Sequence, residues 1–208
     1  MNNILIFGDS YSTFRGYIPD GYATYYPKDG FDVSTVSDTW WQRVIDEIDG
    51  KLLLNNSWSG STIGHTGYGG ADCSKTSSFI YRLRCLIKEG FFDKNEVNTI
   101  FVFGGTNDSW SSAPLGEKIC GDIKEEDLFF VIPAIRYFLE SVKAAAPFAK
   151  IVTIINTDIN DKIKDTLKFY SEELGITYVT LADICKKDGH PTALGMQEIA
   201  KQVITKIN

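Results

Sequence analysis

The sequence predicts an α/β protein in which helices cover both faces of one parallel sheet. Five apolar runs of strand length alternate with helix-period segments along the 208 residues. The runs are continuous rather than alternately apolar and polar, which is typical of parallel strands buried on both faces. Regular alternation of strand and helix favours a three-layer arrangement with right-handed crossovers. We therefore predict an α/β/α sandwich with a five-stranded parallel sheet.

The individual elements follow from apolar periodicity and from Gly, Pro and capping residues. The predicted strands are residues 4–7, 52–54, 99–103, 151–155 and 176–179. The predicted helices are residues 41–48, 74–89, 163–174 and 196–207, together with residues 125–146 in two pieces. Asp38 is the expected N-cap of the first helix, and Gly175 is the expected C-cap of the helix 163–174. Pro133 lies near the start of the second piece of 125–146.

Length and composition limit the classes of function. A chain of 208 residues suits one domain spanning 1–208. Its formal net charge of -6 disfavours nucleic acid as a partner. The four cysteines contain no C-x-x-C pair, so we expect free, mostly buried thiols and no zinc site. With no signal-peptide pattern and no apolar run of membrane-spanning length, we expect a cytoplasmic protein without a membrane span.

One connection is unusually long. Residues 11–37 show little helical period and carry seven aromatic side chains. Loops of this length in a compact domain are usually functional or mobile. The rings either stack on a ligand or give the loop a small core of its own.

Four short motifs follow the ends of predicted strands. They are G-D-S at 8–10, N-S-W-S-G-S at 56–61, G-G-T-N-D at 104–108 and D-G-H-P at 188–191. In parallel α/β sheets the ligand site lies beyond the carboxyl ends of the strands. The motifs would bring to one cleft a hydroxyl, an imidazole with a nearby carboxylate, and two sources of N–H donors. That set suits a hydrolase that transfers an acyl group.

These blocks resemble those of the SGNH, or GDSL-type, hydrolases over nearly the whole chain. The resemblance implies a flavodoxin-like fold, no cofactor and no metal. It implies that Ser10 is the nucleophile and that His190 is the catalytic base. It further implies that Ser10, Gly60 and Asn107 donate to the oxyanion. The pattern H-P-x-x-x-G-x-x-x-I-A is met in full by residues 190–200.

The sequence departs from the family pattern at two positions. Tyr11 stands where Leu or Ile is usual, and Lys187 stands where the family places its Asp, three residues before the histidine. We predict that Asp188 completes the triad. The alternatives are Asp183, or a Ser-His dyad assisted by a backbone carbonyl.

The substrate is less well defined than the reaction. Tyr11, Trp58 and Trp110 are candidates for lining an aromatic cleft, which favours an O-acetyl ester of a carbohydrate or small molecule. The alternatives are a lysophospholipase or thioesterase of the same family, or, from another class, a flavodoxin-like FMN-binding electron carrier. His65, in the glycine-rich stretch 64–70, is expected to be a solvent-exposed loop residue. The sequence leaves the oligomeric state open.

Overall fold

A five-stranded parallel sheet forms the centre of the structure, a computed structural model that describes residues 2–207. The strands are β1 (Asn2–Gly8), β2 (Gly50–Ser57), β3 (Thr99–Phe103), β4 (Lys150–Ile155) and β5 (Thr177–Thr180). The order across the sheet is β2-β1-β3-β4-β5, and every neighbouring pair is parallel. The predicted fold is confirmed.

Helices cover both faces of the sheet because consecutive strand residues point to opposite sides. Ile4 and Ile6 of β1 belong to one buried cluster, and Leu5 and Phe7 belong to the other. The helices are α1 (Trp40–Glu47), α2 (Phe79–Lys88), α3 (Phe91–Lys94), α4 (Thr106–Trp110), α5 (Val131–Ala145), α6 (Asp161–Glu173) and α7 (Ala193–Ile207). The first cluster includes residues of α1 and α7, and the second includes residues of α2, α5 and α6.

The carboxyl ends of three strands lie level with one another. Gly8 at the end of β1 pairs with Ser57 of β2 on one side and with Phe103 of β3 on the other. A Cβ atom at Gly8 would lie 2.5 Å from the hydroxyl oxygens of Ser12 and Ser57, so this position requires glycine. The register therefore brings the first three motifs to one edge of the sheet.

The fourth motif lies in a two-stranded hairpin that the sequence analysis did not predict. Strands β6 (Lys186–Lys187) and β7 (His190–Pro191) pair antiparallel, and Asp188 and Gly189 form the two-residue turn. Both turn residues have positive φ, 48° and 75°. Asp-Gly is a preferred dipeptide for such turns, so the signal was present in the sequence.

Residues 11–37 form an irregular segment with aromatic side chains in the core. Tyr11, Phe14 and Tyr26 are buried in the cluster that also contains α1 and α7. These three rings therefore belong to a core shared with the sheet, and they neither form a separate core for the loop nor lie open to a ligand. The N-cap prediction was wrong by one residue, because Thr39 caps α1 while the Asp38 carboxylate accepts from the N–H groups of residues 34 and 35.

Two further expectations concern the cysteines and the membrane. All four cysteines are free, as predicted, but Cys120 and Cys185 are exposed and the other two are half-buried. Within residues 2–207, no helix combines the length and the apolar character that crossing a membrane requires.

Candidate active site

The structure brings Ser10 and His190 into contact although 180 residues separate them. The Oγ atom of Ser10 lies 3.0 Å from Nε2 of His190. Ser10 follows β1, and His190 opens β7. Only 3% of the Ser10 surface is exposed, so its hydroxyl is largely withdrawn from bulk water.

A backbone carbonyl determines which nitrogen of His190 carries the proton. The Nδ1 atom lies 3.1 Å from the carbonyl oxygen of Asp188. A carbonyl oxygen only accepts, so Nδ1 must be the protonated nitrogen of the neutral ring. Nε2 is then an acceptor that faces the Ser10 hydroxyl. This tautomer is the one that a general base for Ser10 needs.

Burial keeps the His190 imidazole neutral near pH 7. Desolvation is the main cause that lowers the pKa of His190 below its ordinary value of 6.5. The charges of Lys28 and Lys186 lower it further, while the bond to the Asp188 carbonyl and the Asp188 charge oppose them. The ring can therefore accept a proton at neutral pH.

The predicted triad acid has no side-chain contact with the imidazole. Asp188 and Asp183 are both exposed, and across residues 2–207 no hydrogen bond joins either carboxylate to His190. The contact between Asp188 and His190 runs through the main chain. Of the three arrangements considered from the sequence, the geometry favours the dyad assisted by a backbone carbonyl.

Two backbone N–H groups of the motifs have no protein acceptor within residues 2–207. Within the described part of the chain, neither the Ser10 nor the Gly60 backbone N–H donates to a protein atom. Gly60 has a φ of 82°, which suits glycine in the loop after β2. The Asn107 Nδ2 donates to the Ser61 carbonyl at 3.0 Å, which leaves its second hydrogen available. These groups could together hold an oxygen that gains negative charge.

Comparison with known proteins gives the family. The GDSL-like Lipase/Acylhydrolase family matches residues 2–207. The chain belongs to this family. The predicted enzyme class, a carboxylic ester hydrolase, is confirmed.

Solved structures agree with this assignment. A protein from Bacteroides uniformis assigned as a GDSL-like lipase is 39% identical, with a TM-score of 0.90 over 99% of this chain and 95% of its own. A second from Bacteroides ovatus is 35% identical, with a TM-score of 0.90 over 100% and 98%. An acetyl xylan esterase from Butyrivibrio proteoclasticus, 18% identical, has a TM-score of 0.62 over 98% of this chain and 62% of its own, a likeness of fold. None of the curated proteins matches the sequence.

A buried arginine ties the motifs of this GDSL-like hydrolase together. Arg82 of α2 is fully buried. Its guanidinium donates to the Gly8 carbonyl at 3.2 Å, to the Ser61 hydroxyl at 3.1 Å and to the carbonyl of Asn56. Sequence reasoning missed Arg82 because an arginine inside an amphipathic helix normally lies at the surface. Burial lowers its pKa to about 9.

Two buried carboxyl groups lie under the same site. Burial raises the pKa of Asp9 to about 7 and that of Asp108 to about 6. The Asp9 Oδ1 accepts from the Tyr11 N–H at 3.0 Å, while Asp108 accepts from the N–H groups of Ile63 and Gly64. These bonds hold the strand-end loops in place, which is a positioning role.

The three candidates for the aromatic cleft differ in their exposure. Tyr11 was wrongly predicted to line the cleft, because it is fully buried and its hydroxyl donates to the Gly189 carbonyl. Trp58 is half-buried and its ring lies 4.3 Å from that of Tyr22. Trp110 is 37% exposed, and its ring lies 5.6 Å from that of His190.

The expectation for His65 was also wrong. His65 is fully buried, its Nδ1 lies 3.1 Å from the Ser78 hydroxyl, and its backbone N–H donates to the Leu128 carbonyl at 2.8 Å. It fastens the loop after β2 to its neighbours. Within residues 2–207 no cluster of three or more His, Cys, Asp or Glu side chains is arranged to hold a metal ion.

The same loop places Tyr68 against Asn107. The Tyr68 hydroxyl donates to the Asn107 Oδ1 at 2.8 Å, and 47% of the Tyr68 surface is exposed. This bond fixes which end of the Asn107 amide donates toward Ser61. No sequence signal points to this contact, since it joins residues 39 apart through the conformation of the loop.

We expect Tyr68→Phe to lower kcat about 3- to 10-fold with little change in KM. The reason is that a lost neutral hydrogen bond costs about 0.5–1.5 kcal/mol. Steady-state kinetics on a short aryl ester measure the effect. Tyr178→Phe is the matched control, because the Tyr178 hydroxyl donates only to Glu172, on the exposed surface, at 2.7 Å. An unchanged kcat, or a change confined to KM, contradicts the assignment.

Proposed function

We propose that the chain hydrolyses a carboxylic ester through an acyl-enzyme on Ser10, with His190 as general base. The observation that carries the proposal is the contact between Ser10 Oγ and the unprotonated Nε2 of His190. The tautomer needed for that contact follows from the hydrogen bond between Nδ1 and the Asp188 carbonyl.

The first half of the reaction forms the acyl-enzyme. The Ser10 oxygen attacks the ester carbonyl carbon while its proton moves to Nε2 of His190. The carbonyl electron pair moves onto oxygen, giving a tetrahedral oxyanion. When this collapses, the bond to the alkoxy group breaks and the leaving alcohol takes the proton from the imidazolium.

The second half repeats these steps with water. His190 takes a proton from a water molecule, whose oxygen attacks the acyl carbon. Collapse breaks the bond to the Ser10 oxygen, and the imidazolium returns the proton to Ser10. The products are a carboxylic acid and the free enzyme.

The oxyanion is held by the backbone N–H groups of Ser10 and Gly60 and by the Asn107 amide. Support comes from the two N–H groups without protein acceptors and from the unpaired Nδ2 hydrogen of Asn107. Removing one such donor costs about 3 kcal/mol in well-studied hydrolases.

The imidazolium is balanced by the Asp188 carbonyl rather than by a buried carboxylate. The Asp188 side chain is exposed, so its charge acts on His190 through solvent and at reduced strength. We propose a Ser10–His190 dyad in place of the triad first predicted.

The proposed substrate is an O-acetyl ester on a carbohydrate or other small molecule. Trp110 and Tyr68 each expose a large part of an aromatic ring near the dyad, and aromatic faces suit sugar rings. Solved structures with the same fold include an acetyl xylan esterase and a family two carbohydrate esterase. The alternative substrates are a lysophospholipid or a thioester.

The electron-carrier alternative has less support. A flavin carrier would leave the contact between Ser10 and His190 without a role, as well as the free donors around it. It also disagrees with membership of the acylhydrolase family.

We expect Ser10→Ala to abolish hydrolysis of p-nitrophenyl acetate to near background, a loss of at least about 1,000-fold, because no nucleophile remains. A fluorophosphonate probe should add covalently to Ser10 in the wild type, detected by mass spectrometry of the labelled peptide. Equal rates in the two proteins would reject the mechanism.

We expect Asp188→Asn to retain esterase activity within about 5-fold. Asparagine tolerates the positive φ of this turn position and keeps the backbone carbonyl that binds Nδ1. The variant therefore removes the charge alone. A loss of several hundred-fold would mean that the carboxylate acts as the triad acid, as in enzymes with a buried aspartate.

We expect p-nitrophenyl acetate to be hydrolysed with a kcat/KM at least about 10-fold above that of the octanoate. The physical reason is that the site is bounded by polar groups and aromatic edges, which give a long acyl chain little apolar surface to bury. An acyl-length series from acetate to octanoate measures this. A preference for octanoate would leave the mechanism standing and favour the lipid or thioester alternative.

A further inference from the structure

The His190 imidazole is stacked on the ring of Tyr25. The two ring centroids lie 3.6 Å apart, and the ring planes are inclined by 7°. Tyr25 belongs to the irregular segment 11–37 and is half-buried. Its backbone N–H donates to the Thr13 hydroxyl at 2.9 Å, and that hydroxyl donates to the Ser10 carbonyl at 3.2 Å. The ring is thus linked to the serine as well as to the imidazole.

The other aromatic neighbours of His190 meet it differently. The rings of Tyr11 and Trp110 lie 5.5 Å and 5.6 Å away and are inclined by 52° and 72°. Among residues 2–207, Tyr25 alone presents a parallel π face to the imidazole. The face of an aromatic ring attracts a cation, and the attraction grows when the pair is shielded from water.

We propose that Tyr25 is a positioning residue that stabilises the His190 imidazolium through its π face, in addition to the hydrogen bond from Nδ1 to the Asp188 carbonyl. The proposal rests on the function proposed above. His190 gains a positive charge only when it takes the Ser10 proton. A group that favours the charged ring therefore acts in the transition state more than in the resting enzyme, and its loss appears mainly in kcat.

Charged groups face the imidazole from three elements. Lys28 comes from the irregular segment, Lys186 from β6 and Asp188 from the hairpin turn. The Nζ atom of Lys28 also lies 4.5 Å from the centroid of the Tyr25 ring. All three charges remain when the Tyr25 ring is changed, but Lys28 loses its contact with that ring and with the Tyr25 hydroxyl at 3.4 Å. Lys28→Met, alone and combined with Tyr25→Leu, separates that loss from the effect of the π face.

The test compares Tyr25→Phe with Tyr25→Leu in the full chain. Phenylalanine keeps the π face and loses the hydroxyl, whereas leucine keeps much of the apolar bulk and loses the π face. We expect Tyr25→Phe to stay within about 3-fold of the wild type. We expect Tyr25→Leu to lower kcat about 10-fold, with little change in KM.

A second readout is the titration of His190, which a purely structural role for Tyr25 would not move. The chain has only two histidines, so their Cε1–H resonances can be followed by NMR. We expect the pKa of His190 to fall further below its ordinary value in Tyr25→Leu, because the protonated ring loses a stabilising contact. The acid limb of kcat/KM should move to lower pH in parallel.

Two internal controls separate this effect from misfolding. His65 is buried elsewhere and meets Phe129 edge-on at 5.4 Å, so its resonance should titrate alike in all variants. Tyr17→Leu removes a ring from the same segment that packs on Phe14 and Trp41 instead, and it should leave kcat within about 2-fold.

Three outcomes would overturn the proposal. The first is an unchanged kcat in Tyr25→Leu. The second is a Tyr25→Leu variant in which KM rises while kcat and the pKa of His190 stay the same. The third is a fall in kcat in Tyr25→Phe as large as that in Tyr25→Leu. The NMR titration reads the contact between Tyr25 and His190 whether or not the chain hydrolyses esters. Failure of the proposed function, seen as activity in Ser10→Ala, is therefore distinguishable from failure of this inference.

Discussion

The site depends on one hydrogen bond, from Nδ1–H of His190 to the backbone carbonyl of Asp188. That bond holds the proton on the far side of the ring and leaves Nε2 bare toward Ser10. The carbonyl two residues before the histidine reaches Nδ1 only if the backbone turns back on itself between them. The tight turn between β6 and β7, with positive φ at Asp188 and Gly189, provides that geometry.

The sheet positions the other loops of the site. Because β1, β2 and β3 end level, the loops that follow them start from a common edge. Buried Arg82 then joins the end of β1 to the loop after β2 through the Gly8 carbonyl and the Ser61 hydroxyl. Placing a guanidinium where solvent is absent has a large desolvation cost, which its several hydrogen bonds offset. The arrangement favours one conformation of the loops over the looser ones that solvated side chains would allow.

The sequence was sufficient for the strands, because apolar runs have simple geometric consequences, and the motifs with their family resemblance predicted the contact between Ser10 and His190. It was insufficient where the conformation of a loop decides which atoms meet and which side chains are buried. Asp188 was predicted to accept from the imidazole through its carboxylate, because spacing alone does not show that its backbone carbonyl, in a hairpin turn, is the group that contacts Nδ1. The burial of His65 and Tyr11 depends on how long loops fold back, and local pattern carries no information on that.

The two departures from the family pattern, at positions 11 and 187, have a common structural consequence. The Tyr11 hydroxyl donates to the Gly189 carbonyl, and the Lys187 ammonium donates to the Gly30 carbonyl at 2.5 Å. Both bonds fasten the hairpin that carries His190 to the irregular segment 11–37. A histidine oriented by a side-chain carboxylate can sit on a mobile loop, whereas one oriented by its own backbone needs that backbone held still. The irregular segment 11–37 therefore holds the hairpin in place, and with it the backbone carbonyl that orients His190.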